Sequence, residues 1–274
     1  MRPPGEPRRI AYLYLLPALA AFGLFVLVPL VHAAWISLFS WDGVTPGKWV
    51  GLANYKAVVS DGELRGAFGH ALILIGFYAL LPIAIGLFLA AALSRTRVRG
   101  LTAWRTVLFL PQVIALVVVA VMWRMLYEPT GWLGSFTLAL PAVGLVGTWI
   151  EYGLAMVLFT AGVQKIPQSL YDAARVDGAG PVREFLAVTL PGLRGELAVA
   201  LTLTTIAALR NFDLVYLTTD GGPGNATSVP AFEVYDRAFR GGDVGTAAAI
   251  GVCVAALIFL LVFAFNRVAE RQAP

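Results

Sequence analysis

The sequence is poor in charged residues, cysteine and histidine. Charged residues make up 13% of its 274 positions, about half the share found in an ordinary soluble domain. The single cysteine, Cys253, excludes an intrachain disulfide, and with only His32 and His70 as imidazoles we expect no metal site. The sequence contains no G-x-x-x-x-G-K-[ST] phosphate loop, no paired catalytic acids and no Ser/His/Asp set. We therefore predict no catalytic residue, no metal and no cofactor, and an enzyme is the least favoured class.

Hydrophobic residues, by contrast, make up 59% of the chain. They are gathered into blocks long enough to cross a bilayer, which needs about 20 residues per helix. The composition therefore predicts an all-α membrane protein, with one membrane domain over residues 10–267 and short tails at 1–9 and 268–274. Six transmembrane helices are predicted at about residues 10–35, 68–93, 103–126, 141–163, 196–217 and 244–265.

The first apolar block has features of a secretory signal. Three arginines precede it, and it contains Ala18-Leu19-Ala20, which looks like a signal-peptidase site. A cleaved signal has an apolar core of about 7–15 residues, whereas this block continues to Trp35. We therefore expect a retained membrane anchor.

The basic residues indicate the orientation of the helices. They lie in short segments between the apolar blocks and are not arranged in a stripe with interleaved aromatics, so nucleic-acid binding is not expected. One alternate set of segments holds thirteen Lys and Arg residues and the opposite set holds five. Because cytoplasmic loops are enriched in Lys and Arg, the richer set should be cytoplasmic. Both tails of this multi-pass protein are then cytoplasmic as well.

The segment between the fourth and fifth blocks, residues 165–194, encodes two short helices. Ser169 followed by Asp172 resembles a capping box at the start of the first helix, which covers Leu170 to Val176. Gly178 and Gly180 are suited to ending that helix. Pro181 fits the first position of the second helix, which should end before Pro191.

The first of these helices carries two alanines, Ala173 and Ala174, between larger apolar residues. Small side chains allow another helix to approach closely, and Leu170 and Tyr171 flank them as apolar anchors. This pattern predicts a compact surface that docks into a groove of another protein. An amphipathic helix lying on lipid headgroups is an equally open interpretation.

The same segment resembles the EAA loop of the permeases of ATP-binding-cassette (ABC) importers, and most closely the carbohydrate group of the MalF/UgpA kind. The resemblance rests on Asp172-Ala173-Ala174, Asp177-Gly178-Ala179, Phe185 and Thr189-Leu190-Pro191, with Asp172 where the family usually has glutamate. It extends in order over most of the chain, although the connection from Tyr127 to Leu140 is shorter than in many relatives. Further matching pieces are Tyr14-Leu15-Leu16-Pro17, Val50-Gly51-Leu52-Ala53-Asn54-Tyr55, Phe109-Leu110-Pro111, Trp123-Arg124, Asp213-Leu214-Val215-Tyr216 and Gly221-Gly222-Pro223-Gly224-Asn225-Ala226-Thr227.

The resemblance implies a division of labour in a bacterial-type inner membrane. Residues 165–194, which we call the EAA loop, would dock as a coupling helix on a dimer of cytoplasmic ABC ATPase subunits. A second related permease subunit and an extracytoplasmic solute-binding protein would complete an importer for a saccharide, polyol or glycerol phosphate, working by alternating access. The expected docking residues are Leu170, Tyr171, Asp172, Ala173, Ala174, Asp177, Gly178, Ala179, Phe185 and Pro191.

Charged residues inside the predicted helices are the second set of candidates. A charge at the bilayer centre costs at least about 2.5–3.5 kcal/mol, so such residues usually face a cavity or a partner. Arg210 and Asp213 are three apart, are expected to share one helix face and could pair with each other. The candidate solute pathway consists of Trp149, Glu151, Tyr152, Arg210, Asn211 and Asp213. A network inside the bundle, or an interface with a partner permease, is the alternative.

A secondary transporter driven by a proton or sodium gradient is the competing function. The intramembrane charges at Glu151, Arg210 and Asp213 would suit ion coupling. That class, however, offers no reason for a structured, alanine-rich loop between the fourth and fifth helices.

Overall fold

The computed structural model describes residues 8–95, 100–127 and 131–271. The ends of the predicted tails, residues 1–7 and 272–274, lie outside this range. The described chain divides into two compact units. The first comprises residues 1–60 and 234–253, and the second comprises residues 61–233 and 254–274.

The prediction of an all-α membrane protein is confirmed. Among the described residues, four helices are long and apolar enough to cross a membrane, and the number is up to six if each of two bent pairs of helices counts as one span. The only strands in this part of the chain are two residues long. The helices are α1 Arg8–Phe22, α2 Val28–Ile36, α3 Ala53–Ser60, α4 Gly62–Ile75, α5 Leu81–Arg95, α6 Leu101–Val113, α7 Leu116–Tyr127, α8 Ala139–Val163, α9 Gln168–Val176, α10 Pro181–Glu184, α11 Leu190–Gly192, α12 Arg194–Leu209, α13 Asp213–Thr218, α14 Pro230–Tyr235 and α15 Val244–Arg271.

Short π-helical turns continue several of the described helices into the next one, and the last of them ends the helix that begins with α14. They cover Gly23–Leu27, Gly76–Leu80, Phe185–Thr189 and Asp236–Arg240. The turn at Gly76–Leu80 continues α4 into α5, so that one apolar helix runs over Gly62–Ala92. Single π-helical turns inside α-helices are frequently found at functional sites.

The first unit is organised around a small hairpin. Strand β1, Phe39–Ser40, pairs antiparallel with β2, Lys48–Trp49. The buried side chain of Asn54 donates hydrogen bonds to the carbonyls of Ser37 and Phe39, both at 2.8 Å. These bonds tie α3 to the end of α2 and to β1, so the amide replaces backbone partners that the short hairpin lacks.

The centre of the second unit is α8. It packs along α5 and α6, and most of its residues are buried. Close approach depends on glycine: a side chain at Gly147 would overlap the ring of Tyr78, and one at Gly86 would lie 2.7 Å from Cβ of Ala155. Small residues allow helices to pack tightly where the hydrophobic effect between them is weak, as in lipid.

Two of the six predicted spans are broken rather than continuous. The third, predicted over residues 103–126, bends by 90° between Val113 and Leu116 because Ile114 has an extended backbone. Pro111 lies in the last turn of α6, and because proline has no N–H it makes no backbone hydrogen bond to a carbonyl of the preceding turn. The helix ends shortly after it.

The second bent pair joins Pro181–Gly192 to α12 at an angle of 71°. The fifth span, predicted over residues 196–217, begins within α12, runs past the end of that helix at Leu209 and finishes in α13, which starts at Asp213. Arg210 follows the carboxyl end of α12, and Asp213 lies in the first turn of α13. Each charge therefore complements the unsatisfied backbone groups of its own helix end. Charged residues that we expected on one continuous helix instead flank a gap.

Candidate functional site: a cavity at a broken helix and a protruding loop

A cavity of about 330 Å³ lies at the end of α12. Ligand pockets in proteins span about 300–1,000 Å³, so its size fits a small solute. Its walls come from α7, α8, α12, α13 and the π-helical turn at Gly76–Leu80. The lining residues are Tyr78, Leu116, Ile150, Glu151, Leu203, Ile206, Ala207, Arg210, Asn211, Phe212 and Asp213.

Four of the six predicted pathway residues meet at this cavity: Glu151, Arg210, Asn211 and Asp213. Glu151 and Asn211 are each only 7% exposed. Arg210 and Asp213 are exposed, and no ion pair joins them within the described part of the chain. The prediction that these two residues share one helix face is wrong, because α12 ends before Arg210 and Asp213 belongs to α13.

The other two predicted residues do not line the cavity. Trp149 packs edge-to-face against Trp123, with ring centroids 5.7 Å apart, and Tyr152 is half-buried elsewhere on α8. Neighbouring residues on an α-helix point about 100° apart, so Glu151 and Tyr152 face different directions. Tyr78, which does line the cavity, was missed because nothing in the sequence marks it as close to residues 150–213.

Two polar groups at the cavity have no partner among the described residues. The Nδ2 atom of Asn211 is buried without a hydrogen bond. The carboxyl group of Glu151 makes neither a hydrogen bond nor an ion pair with the residues that the structure describes. Buried polar groups are nearly always hydrogen-bonded, so this donor and this acceptor are available to water or to a solute.

The first helix of the EAA loop begins differently from our prediction. α9 starts at Gln168 after Pro167, and no side chain caps it. Asp172 instead accepts a hydrogen bond from the Gln168 side chain at 3.3 Å. The predicted capping box at Ser169 is wrong because the helix begins one residue before it. Pro167, which has no N–H, ends the preceding turn.

The end of α9 agrees with the prediction. Gly178 has a φ of +75°, a conformation that glycine adopts without strain. The N–H of Gly178 donates to the carbonyl of Arg175 at 3.0 Å, and the N–H of Ala179 donates to that of Ala174 at 2.9 Å. These are the two hydrogen bonds of a Schellman motif, so the end of the helix is well defined.

The second helix of the loop also starts as predicted, with Pro181 in the first turn of α10. It does not end before Pro191, because α11 continues to Gly192. The π-helical turn at Phe185–Thr189 immediately precedes α11. In a π-helical turn each N–H bonds to the carbonyl five residues earlier instead of four, and the N–H of Leu190 accordingly donates to the carbonyl of Phe185. The wider turn relieves the clash that a proline ring causes inside an α-helix.

Two side-chain contacts hold the helices of the EAA loop to one another. Tyr171 is only 9% exposed, and its hydroxyl lies 3.2 Å from the hydroxyl of Thr189. Nε of Arg175 donates to the buried carboxylate of Glu184 at 3.2 Å. Tyr171 therefore anchors the helix from inside and is not an outward anchor as we predicted. Arg175 and Glu184 were not predicted.

The remaining loop residues divide between an outer and an inner side. Leu170 is 51% exposed and Val176 is 88% exposed, and Ala173 lies between them on the same open face. Val176 was not among the predicted docking residues. Asp172, Asp177 and Gly178 are also exposed, whereas Ala174, Ala179, Phe185 and Pro191 are half-buried.

Comparison with known proteins places these features in a family. Residues 82–273 match the model of the binding-protein-dependent transport system inner membrane component. The chain is 36% identical to the probable ABC transporter permease protein YurN of Bacillus subtilis, covering 91% of this chain and 92% of that one. It is 32% identical to the trehalose/maltose transport system permease protein MalF of Thermococcus litoralis, and the match covers 94% of this chain and 91% of that one.

The fold is also found among solved structures. A chain of a bacterial ABC transporter involved in the import of the acidic polysaccharide alginate superposes with a TM-score of 0.81. The sequences are 21% identical, and the match covers 97% of this chain and 96% of the other. This chain belongs to the family of binding-protein-dependent transport system inner membrane components.

Proposed function

We propose that this chain is the transmembrane permease subunit of an ABC importer for a sugar or a sugar-like solute. Relatives support the solute class: the MalF protein named above belongs to a trehalose/maltose system, and another relative, NgcF of Streptomyces coelicolor, belongs to a diacetylchitobiose uptake system. The competing function, an ion-driven secondary transporter, has no support from these relatives.

The observation that carries the proposal is the irregular stretch Arg210–Phe212 between α12 and α13. Irregular backbone at membrane depth is tolerated only where it is buried in protein or lines a water-filled cavity. Here it lines a cavity together with Glu151 and Asp213. We assign this cavity to the solute pathway, with a second permease subunit facing it.

The EAA loop provides the site for ATPase docking. Its outer face combines the apolar side chains of Leu170 and Val176 with Ala173. Asp172 and Asp177 are exposed beside Arg175, so α9 and the residue that follows it carry no excess of positive charge. This favours a protein groove over a membrane surface, since anionic headgroups attract helices with a cluster of basic residues. Nucleotide-driven movement of two ATPase subunits would then reach α12 through this loop and alternate the access of the cavity.

The distribution of basic residues orients the assembly. Lys165, Arg175, Arg183 and Arg194 all lie on or beside the EAA loop, so this loop faces the cytoplasm by the positive-inside rule. Both termini are then cytoplasmic, and a solute-binding protein delivers the solute to the opposite side. An alginate ABC transporter of similar fold has been described in complex with a solute-bound periplasmic protein.

Site-directed cross-linking in the complete transporter tests docking. Ala173→Cys is introduced after Cys253, the single native cysteine, has been replaced by alanine. We expect ATP-dependent uptake and a cross-link from position 173 to the ATPase subunit. Thr137→Cys is the matched control, because Thr137 is exposed on the connection between α7 and α8, which we place outside. Uptake without any cross-link from position 173, or uptake that continues without ATP on an ion gradient, would contradict the proposal.

A further inference from the structure

One residue of the cavity wall, Tyr78, lies inside the π-helical turn at Gly76–Leu80. The N–H of Leu81 donates to the carbonyl of Gly76, five residues earlier, instead of to the carbonyl four residues earlier as in an α-helix. The next residue, Pro82, has no N–H, and in an α-helix its ring would clash with the carbonyl four residues before it. The wider turn avoids this clash, so the proline explains why the helix opens at this point.

The turn leaves the carbonyl of Phe77 without either of its usual backbone donors. Leu81, its donor in an α-helix, bonds to Gly76, and Pro82, its donor in a π-helix, has no N–H. The hydroxyl of Thr148 on α8 donates to this carbonyl at 2.6 Å. The same hydroxyl lies 3.2 Å from a carbonyl of its own helix, and because it has one proton, the shorter contact takes it. Thr148 therefore replaces the missing backbone donor.

α8 also provides a close-fitting seat for the rings of the turn. A side chain at Gly144 would overlap the ring of Phe77, and one at Gly147 would overlap the ring of Tyr78. Tyr78 is 5% exposed, and its hydroxyl makes no hydrogen bond with the residues that the structure describes. The ring is thus fixed against α8, while its hydroxyl is available to whatever fills the cavity.

The Tyr78 hydroxyl shares the cavity with Asn211, whose Nδ2 atom is buried without a partner. A hydroxyl both donates and accepts and an amide nitrogen donates, so the two groups match the hydroxyls of a saccharide. We propose that the Tyr78 hydroxyl contacts the solute and that Thr148 positions it by holding the π-helical turn. This assignment rests on the proposed function, because it adds a contact residue and a positioning residue to the same pathway.

The positioning role follows from the burial of the contact. Thr148 is 7% exposed, and a buried carbonyl that loses its donor costs free energy. Without the hydroxyl, the carbonyl of Phe77 regains a donor only if the turn moves or water enters. Tyr78 is the next residue in the chain, so a movement of the turn displaces its side chain from the cavity wall.

Thiol labelling measures where position 78 points. Tyr78→Cys is introduced in the Cys253→Ala background, and the complete transporter in membrane vesicles is treated with uncharged methyl methanethiosulfonate, which reacts with a thiolate and so requires water. Because one hydrogen bond is lost, we expect Thr148→Val to lower the labelling rate about 2- to 10-fold and Thr148→Ser to restore it. Thr160→Val is the matched control, since the buried hydroxyl of Thr160 bonds within α8.

Uptake into proteoliposomes tests the contact with solute. The probes are radiolabelled trehalose, maltose and diacetylchitobiose, the solutes named for two relatives, supplied with the solute-binding protein. Tyr78→Phe keeps the ring on Gly147 and loses only the hydroxyl, and it should lower uptake about 2- to 10-fold. Adding Thr148→Val to Tyr78→Phe should lower uptake little further, because the hydroxyl that Thr148 positions is gone. Two independent losses would instead multiply.

The outcomes separate this assignment from the proposed function. Unchanged uptake in Tyr78→Phe overturns the solute contact. Labelling at position 78 that Thr148→Val leaves unchanged, or losses of uptake that multiply, overturn the positioning role. Each of these results leaves the ATP-driven importer intact.

Two results reach further. Absence of labelling at position 78 with Thr148 intact overturns the assignment and shows that water does not reach this wall. Absence of ATP-dependent uptake of all three probes by the unaltered transporter contradicts the proposed function, while labelling still decides the role of Thr148. If Thr148→Val fails to assemble, Thr148→Ala takes its place in both experiments.

Discussion

The contact between Arg175 and Glu184 offers the sharpest test of how the EAA loop transmits movement. The guanidinium of Arg175 reaches two carboxylates, with Nε 3.2 Å from Oε2 of Glu184 and Nη1 3.4 Å from Oδ1 of Asp172. The first contact joins α9 to α10, and the second lies within α9. Arg175→Ala should therefore loosen the docking helix from the helices that follow it, while the exposed docking face is preserved.

The energy of the contact between Arg175 and Glu184 follows from how deeply the two side chains are buried. The Arg175 side chain is 57% exposed and that of Glu184 is 7% exposed. Hydrogen bonds to charged groups contribute about 1.5–3 kcal/mol, and fully exposed ion pairs contribute about 0–1 kcal/mol. For this half-exposed pair we expect about 1–2 kcal/mol, which raises the population of the loosened loop about 5- to 30-fold.

Coupling is measured as solute transported per ATP hydrolysed, in proteoliposomes that contain the complete transporter. We expect Arg175→Ala to lower this ratio severalfold while the cross-link from Ala173→Cys to the ATPase remains. Arg183→Ala is the matched control, because Arg183 is an exposed arginine of the same loop. Arg175→Lys should retain more of the coupling than Arg175→Ala, because it keeps a positive charge near both carboxylates.

An unchanged ratio in both Arg175→Ala and Glu184→Gln would refute this reasoning. Loss of the cross-link together with the ratio would show instead that Arg175 supports docking itself. Equal losses in Arg175→Ala and Arg183→Ala would point to the general positive charge of the loop and not to the contact with Glu184.

Three further predictions concern other parts of the chain. Asn211→Ala should lower uptake at least about tenfold, because losing one hydrogen bond to the solute costs about 1.4 kcal/mol. The control is Thr204→Val, which removes a buried hydroxyl that bonds within α12 and should leave uptake unchanged. Gly147→Leu should prevent stable assembly of the protein, because the new side chain would overlap the Tyr78 ring and such overpacking costs about 1–3 kcal/mol or more. Gel filtration in detergent measures assembly. The control is Gly66→Leu, at a site with open space, which should assemble normally. The N–H groups of Val44 and Thr45 donate to Asp42 and hold the pKa of its carboxyl group below the ordinary value. The charged carboxylate therefore stabilises this turn above the unfolded pKa of about 3.9, and both amides should lose their protection from hydrogen exchange as the pH falls through the lowered pKa. The Asp42→Ala variant should lack that protection at every pH.

Several features of the loop could be read from the sequence because they depend on local chemistry. Gly178 is needed where a helix ends in a left-handed residue, and Pro181 is suited to a first turn where its missing N–H costs nothing. The exact start of α9 could not be read, because several residues before Leu170 can begin a helix and the tertiary position of Pro167 decides among them.

The six apolar blocks, the membrane class and the family were determined by the sequence alone, since a bilayer imposes length and hydrophobicity on every span regardless of its neighbours. Only the tertiary structure decided that the fifth span breaks at Arg210, that Tyr171 points inward to Thr189, and that Tyr78 joins Glu151 and Asn211 at one cavity. Apolar helices look alike in composition on every side. Which residues meet across them depends on small gaps such as Gly147, and these become visible only when the helices are packed.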